Sequence, residues 1–118
     1  MFVKILIADD DPAILSLFRC ILTTNPKHTI VIAENGDEAV QIIETERNID
    51  LLITDFQMPG KNGVEVLLSA RRAQLGARKW LISGAIDDKI SKEAADAGAD
   101  KILWKSSVIK ELRTEGII

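Results

Sequence analysis

Val3-Lys4-Ile5-Leu6-Ile7-Ala8-Asp9-Asp10-Asp11-Pro12 is the stretch that decides the fold. A short aliphatic run, polar only at Lys4, stops at three consecutive aspartates. A run of that length without polar alternation predicts a strand covered on both faces, as in a parallel sheet. Asp11-Pro12 then predicts a helix N-cap and first helical residue. Behind it Ile14, Leu15, Leu17, Phe18, Ile21 and Leu22 recur at helical spacing.

The same strand-then-helix unit repeats outward from this stretch. Thr29–Ala33, Asp50–Thr54, Lys79–Ser83 and Lys101–Trp104 are further short runs rich in Ile, Leu or Val. Between them lie helical patterns. Ala39, Val40, Ile42 and Ile43 follow an Asn35-Gly36-Asp37 opening. Val64, Leu67, Leu68 and Ala70 follow Gly63. Ile90, Ala94, Ala95 and Ala97 start near Asp87-Asp88 and stop at Gly98. Val108, Ile109 and Leu112 begin at Ser106-Ser107 and end before Gly116. Five strands alternating with five helices predict an α/β three-layer domain with right-handed crossovers. No internal repeat, linker or low-complexity segment interrupts the pattern.

Composition narrows the class. The 118 residues suit one domain, 1–118, long enough to bury a core without disulfide staples. With 47% hydrophobic and 28% charged residues, disorder, a collagen-like repeat and a coiled coil are excluded. A net charge of −3 offers no nucleic-acid groove by itself. Single residues of cysteine (Cys20) and histidine (His28) exclude an internal disulfide, a Cys-only zinc site and a His-rich metal centre. No apolar run approaches membrane-spanning length, and the opening Phe2–Ala8 is too short for a secretory signal. The expectation is a cytoplasmic domain with no direct nucleic-acid or membrane contact.

The chemistry gathers at the carboxyl ends of the strands, where open α/β sheets bind ligands. Asp9 and Asp10 follow strand one, Asp55 strand three and Lys105 strand five; Ser83 ends strand four. If strands one and three are neighbours, three carboxylates converge. Converging carboxylates repel, and a hard divalent cation such as Mg²⁺ relieves them while keeping waters for a phosphate to displace. With a lysine and a hydroxyl aimed at the same spot, the parts fit a phosphoryl group and a carboxylate nucleophile.

Four segments in order carry a resemblance: Ile5 to Pro12; Thr54-Asp55-Phe56-Gln57-Met58-Pro59-Gly60-Lys61-Asn62-Gly63; Ile82-Ser83-Gly84; and Ala97 to Lys105. Together they resemble the receiver domain of two-component response regulators, from Val3 to about Leu112. The resemblance implies a flavodoxin-like sheet of order 2-1-3-4-5. It implies Asp55 as phosphoacceptor, with Mg²⁺ held by Asp10 directly, by Asp9 through water, by Asp55 and by the Gln57 carbonyl. Lys105 pairs with the acidic cluster and then with the phosphoryl group. Ser83 is the hydroxyl that moves toward that group, and Gly84 leaves room for access. Gln57 and Ala85 influence the approach of hydrolytic water. The implied partners are a histidine kinase or phosphotransfer protein and a downstream protein or output domain, with a phosphorylation-dependent homodimer as an option. Turnover would be limited to self-catalysed phosphoryl transfer and autodephosphorylation.

Two positions depart from the family. Ile102 stands where receivers carry Tyr or Phe, the aromatic that reports phosphorylation together with the hydroxyl residue. Ile is stiff at its first torsion, so the expectation is a weaker switch there, or one carried by the loops after Asp55 and Ser83. Ser106 replaces a proline whose preceding bond is typically cis. A cis bond before serine costs about 3–4 kcal/mol, so either the site supports that strain or Lys105-Ser106 is trans. The short tail after Lys105 fits either a stand-alone receiver or one cut from a longer chain.

Other functions fit parts of the pattern. Asp9 and Asp11 have the D-x-D spacing of a haloacid-dehalogenase-type phosphatase with Asp9 as nucleophile, but Asp55 would then have no task. A pseudo-receiver scaffold would leave the acidic set idle. The remaining residues read plainly: Asp11 as a cap, Met58-Pro59-Gly60 as turn chemistry, Cys20 as a partly buried inert thiol and His28 as a surface loop residue. Arg71, Arg72, Arg78 and Lys79 read as one solvated basic face, and Trp80 and Trp104 as core or sheet-edge packing.

Overall fold

Both faces of the central strands are buried, which is why their sequence shows no alternation. The computed structural model describes residues 3–46, 48–73 and 75–118, so Phe2 of the apolar opening lies outside the described residues. The elements are β1 (Val3–Ala8), α1 (Pro12–Leu22), β2 (His28–Ala33), α2 (Gly36–Thr45), β3 (Leu51–Asp55), α3 (Gly63–Arg72), β4 (Arg78–Ser83), α4 (Asp88–Asp96), β5 (Lys101–Trp104) and α5 (Val108–Thr114). A 3₁₀ turn, Lys105–Ser107, joins β5 to α5. The five strands are parallel in the order β2-β1-β3-β4-β5.

Alternate residues of each strand feed two cores. Ile5, Ile7, Leu51, Ile53, Trp80 and Ile82 pack with Leu15, Phe18 and Leu22 of α1 and Val108 and Leu112 of α5. Leu6, Ala8, Leu52 and Leu81 pack with buried residues of α2, α3 and α4, among them Ala39, Ile43, Val66, Leu67 and Ala94. All five residues of β3 are buried. Truncating one of its core side chains to alanine should cost about 2–5 kcal/mol. That burial fixes the strand whose last residue is Asp55.

Four helices start on an Asx cap. Asp11 accepts from the N–H of Ala13 (2.9 Å), Asn35 from Glu38 (2.8 Å), Asn62 from Glu65 (3.0 Å) and Asp87 from Ile90 (2.8 Å). Each cap contributes about 1 kcal/mol. Together they fix where the loops at the carboxyl edge of the sheet end. α5 has no side-chain cap and continues from the 3₁₀ turn instead.

Several plain readings change. His28 begins β2 and is half-buried, with Nε2–H donating to the Ile117 carbonyl at 2.7 Å; the folded-back tail covers it. Cys20 is exposed, because it falls beside the buried stripe of Leu15, Phe18 and Leu22 rather than in it. The reading of the tryptophans as core or sheet-edge packing holds: Trp80 is fully buried, and Trp104 lies at the end of the edge strand, 49% exposed. Of the four basic residues, Arg71 and Lys79 come together beside Gly98, while Arg78 turns toward α5. Arg71 donates to the Asp96 carbonyl at the end of α4, Lys79 Nζ to Ala77, and Arg78 pairs with Glu115 at 3.9 Å. No cis peptide bond occurs among the described residues, so Lys105-Ser106 is trans.

Candidate functional site

The register of β1 against β3 pairs Ala8 with Thr54, so Asp9 and Asp55 leave adjacent strands side by side. β1 lies between β2 and β3, the point where the chain's crossovers diverge. Asp9 is fully buried and Asp55 is 4% exposed, while Asp10 turns to solvent. Carboxylate oxygens of Asp9, Asp10 and Asp55 all lie within 4.8 Å of one another. The condition set by the sequence, that strands one and three be neighbours, is met.

Each carboxylate is held differently. Asp9 Oδ1 accepts the N–H of Asp11 at 2.9 Å. Its Oδ2 is buried and pairs with Lys105 Nζ at 3.1 Å. That same Nζ lies 3.1 Å from Asp55 Oδ2. Burial, and then the charge of Asp9, push the Asp55 carboxyl above the usual range; Lys105 and the N–H of Gln57 offset this only in part. Burial pulls the Lys105 ammonium down, but Asp55 and Asp9 outweigh it and hold the ammonium above its ordinary value.

Three carboxylates against one ammonium leave the cluster short of positive charge. The all-oxygen donor set suits a hard divalent cation, and Mg²⁺ in particular, which needs few protein carboxylates. Asp9, Asp10 and Asp55 could hold it. Gln57, two residues beyond Asp55, lies in the loop that walls the site.

A cleft of about 410 Å³ opens beside Asp55, lined by Phe56, Gln57, Ser83, Gly84, Ala85, Ile90 and Lys105. Phe56 and Ile90 are additions to the residues read from sequence; Phe56 adjoins Asp55, but nothing local marks Ile90. Ser83 is buried, and its hydroxyl donates to the Ala85 carbonyl (2.9 Å) and accepts the Ala85 N–H (3.2 Å). Above Gly84 a Cβ would meet nothing within 4 Å, so the approach is open. Ile102 is half-buried on the α4 side, two residues from the exposed Trp104. A larger groove of about 530 Å³ between α2 and α3, lined in part by Val40, Lys61, Leu68 and Arg72, contains none of the converging carboxylates. Charge convergence, not size, marks the site.

Comparison with known proteins agrees with this geometry. The family model of the response regulator receiver domain matches residues 5–115. The DNA-binding transcriptional activator EvgA of Escherichia coli K12 is 33% identical over 100 residues, 85% of this chain and 48% of that protein. Response regulator MprA of Mycobacterium ulcerans is 35% identical over 114 residues, 95% of this chain and 47% of that protein. The chain thus spans about half the length of the curated relatives it matches. Among solved structures, a CheY-like response regulator receiver domain protein from Methanospirillum hungatei superposes with a TM-score of 0.85 at 27% identity, covering 98% of this chain and 94% of that one. The Francisella response regulator 1452 receiver domain gives 0.82 at 26% identity, covering 98% and 95%.

Proposed function

The chain belongs to the response regulator receiver domain family, and on that premise we propose that Asp55 is its phosphoacceptor. A carboxylate oxygen of Asp55 attacks the phosphorus of a phosphohistidine on a partner histidine kinase or phosphotransfer protein. The P–N bond breaks, the imidazole leaves, and an aspartyl phosphate forms. Asp9, Asp10, Asp55 and the Gln57 carbonyl would hold Mg²⁺, whose charge offsets that of the phosphoryl oxygens.

The chain's own groups do the positioning. Lys105 Nζ, already 3.1 Å from Asp55 Oδ2, follows the charge onto a phosphoryl oxygen. The Asp11 N–H keeps Asp9 turned toward the cluster. The Ser83 hydroxyl exchanges its bond to Ala85 for one to the phosphoryl group. One neutral hydrogen bond is worth about 0.5–1.5 kcal/mol and one to a charged group about 1.5–3 kcal/mol, so the exchange favours the modified state. It shifts the segment Ser83–Ala85 and biases the domain between two conformations. Ile102, half-buried on the α4 side, then responds less than an aromatic would, and the loops after Asp55 and Ser83 carry more of the change.

The output is a changed surface for a downstream protein or an output domain in a longer chain. One relative is a DNA-binding activator; with a net charge of −3, this domain is read as contacting protein rather than nucleic acid. A cytoplasmic location fits such a partner set. No helix among the described residues is long and apolar enough to cross a membrane.

The observation that carries this reading is Lys105 Nζ held 3.1 Å from both Asp9 and Asp55. The phosphatase reading needs Asp11 as acid–base partner of Asp9. Asp11 is instead exposed, with its carboxylate occupied by the N–H of Ala13. A pseudo-receiver would have no use for the buried charge. Incubation with Mg²⁺ and acetyl phosphate, followed by intact mass, tests the proposal. Wild type should gain one phosphoryl group and Asp55→Asn none; equal gain in both would refute it.

A further inference from the structure

The loop from Asp55 to Gly63 is fixed at three places. At its root, Phe56 N–H donates to Ile82 (2.9 Å) and Gly63 N–H to Phe56 (2.8 Å). In its middle, Met58 is buried against the core on the α2–α4 side. The third anchor is the first turn of α2, which has no atom among the converging carboxylates. There Gly36, buried, lies so close to the loop that a Cβ on it would stand 1.8 Å from the Lys61 carbonyl oxygen. Gly36 N–H points to the Pro59 carbonyl at 3.4 Å. Asp37, the next residue, pairs with Lys61 at 3.3 Å. A Cβ on Gly60, where φ is +75°, would meet the Asp37 carboxylate at 2.1 Å.

These contacts differ in strength. The Asp37–Lys61 pair is solvent-exposed and holds the loop only weakly. The Gly60 approach involves the end of a mobile side chain, although its positive φ itself requires glycine. The Gly36 contact is with backbone, which no rotamer change can relieve. Gly36 therefore stands in α2 for the sake of the loop, not of the helix.

We propose that the start of α2, through Gly36, is a positioning element for the metal site: it sets the β3–α3 loop so that the Gln57 carbonyl faces the carboxylates. The inference rests on the phosphoacceptor reading of Asp55, and it makes Gly36 a positioning residue that touches neither metal nor phosphoryl group. A Cβ at position 36 pushes Lys61 outward. Gly63 is tied by its N–H to Phe56, whereas Met58 is held by side-chain packing alone, so the displacement runs back through Pro59 and Met58 to Gln57. The expected defect lies in metal affinity rather than in the nucleophile.

The test is a titration with Mg²⁺ alone, followed by the Gln57 amide shift in NMR, beside acetyl-phosphate labelling at saturating Mg²⁺. Gly36→Ala should raise the Mg²⁺ half-saturation about tenfold, the scale on which supporting residues tune metal sites. Labelling at saturating Mg²⁺ should stay within about twofold of wild type, because Asp55 and Lys105 are untouched. Lys101→Met, at the opposite edge of the sheet, controls for destabilisation alone and should leave the half-saturation unchanged. If Gly36→Ala does not fold, Asn35→Ala, which removes the cap that holds the first turn of α2 and leaves the loop's own residues untouched, decides by the same criterion. A variant that binds Mg²⁺ like wild type overturns the positioning role. Wild type that binds Mg²⁺ but takes no phosphoryl group, or binds none, overturns the phosphoacceptor reading instead.

Discussion

Lys105 and Lys101 lie at opposite ends of β5, and each ammonium faces two carboxylates. At the carboxyl end Lys105 meets Asp9 and Asp55, both buried, with Asp10 close by. At the amino end Lys101 meets Glu111 and Glu115, and lies 5.8 Å from the centre of the Trp80 ring. There Arg78 supplies a second cation to Glu115, and the charges balance. The pKa directions separate the two ends. Glu115 is lowered by its bond to Lys101, and Lys101 is raised by Glu111 and Glu115. Asp55 is raised, because burial and Asp9 outweigh Lys105. Similar ingredients make a satisfied clasp for α5 at one end and an unsatisfied, cation-seeking cluster at the other. Charge left uncompensated in a buried place is the mark of the working end.

The sharpest way to break the contrast is to remove each lysine. Lys105→Met should slow labelling by acetyl phosphate about 100-fold, the loss typical of one oxyanion-stabilising group. Lys101→Met should leave that rate within about twofold. Labelling kinetics by intact mass would show both; equal losses would erase the distinction. Next come the carboxylates. Asp9→Asn should weaken Mg²⁺ binding by about tenfold or more, whereas Glu111→Gln should not change it, as measured by amide-shift titration.

Stability should move in opposite directions at the two ends. In metal-free buffer at neutral pH, Asp55→Asn should stabilise the fold by about 1 kcal/mol, since it removes a buried, repelled charge. A raised carboxyl pKa means the native state binds its proton more tightly than the unfolded chain. Wild type therefore loses stability as pH rises through that pKa and recovers it in acid. The gain from Asp55→Asn should then vanish below the ordinary carboxylate range, and also on adding Mg²⁺. Chemical denaturation across pH would show this. Glu115→Gln should have the smallest effect, a slight lowering of the unfolding midpoint. Its lowered pKa contributes stability above the ordinary carboxylate range, lost as pH falls through the lowered value. An Asp55→Asn protein less stable than wild type at neutral pH would contradict the account of the upper end.

Much of this was readable from local signals. Strands without alternation, Asx residues before helices, and polar residues at strand ends place Asp9, Asp10, Asp55, Ser83 and Lys105 without any knowledge of tertiary contacts. What escaped depends on residues far apart in the chain. His28 has its partner at Ile117, and Gly36 fits against Lys61. Neither partner carries a local pattern. Gly36 looks like part of a helix opening and Gly60 like turn chemistry, and only the packed loop shows that Gly36 faces backbone. Cys20 escaped for a simpler reason. It sits beside the buried stripe of α1, where a small rotation decides exposure. Ser106 left the preceding bond open in sequence; the structure has it trans with Lys105 still on both carboxylates.

The central claim is that Asp55, and no other carboxylate of the cluster, forms the bond to phosphorus. Peptide mass mapping of wild type after labelling with acetyl phosphate and Mg²⁺, with borohydride trapping of the aspartyl phosphate, addresses it directly. The modification should fall on Asp55 alone; modification of Asp9, or of no aspartate in protein that binds Mg²⁺, would contradict it.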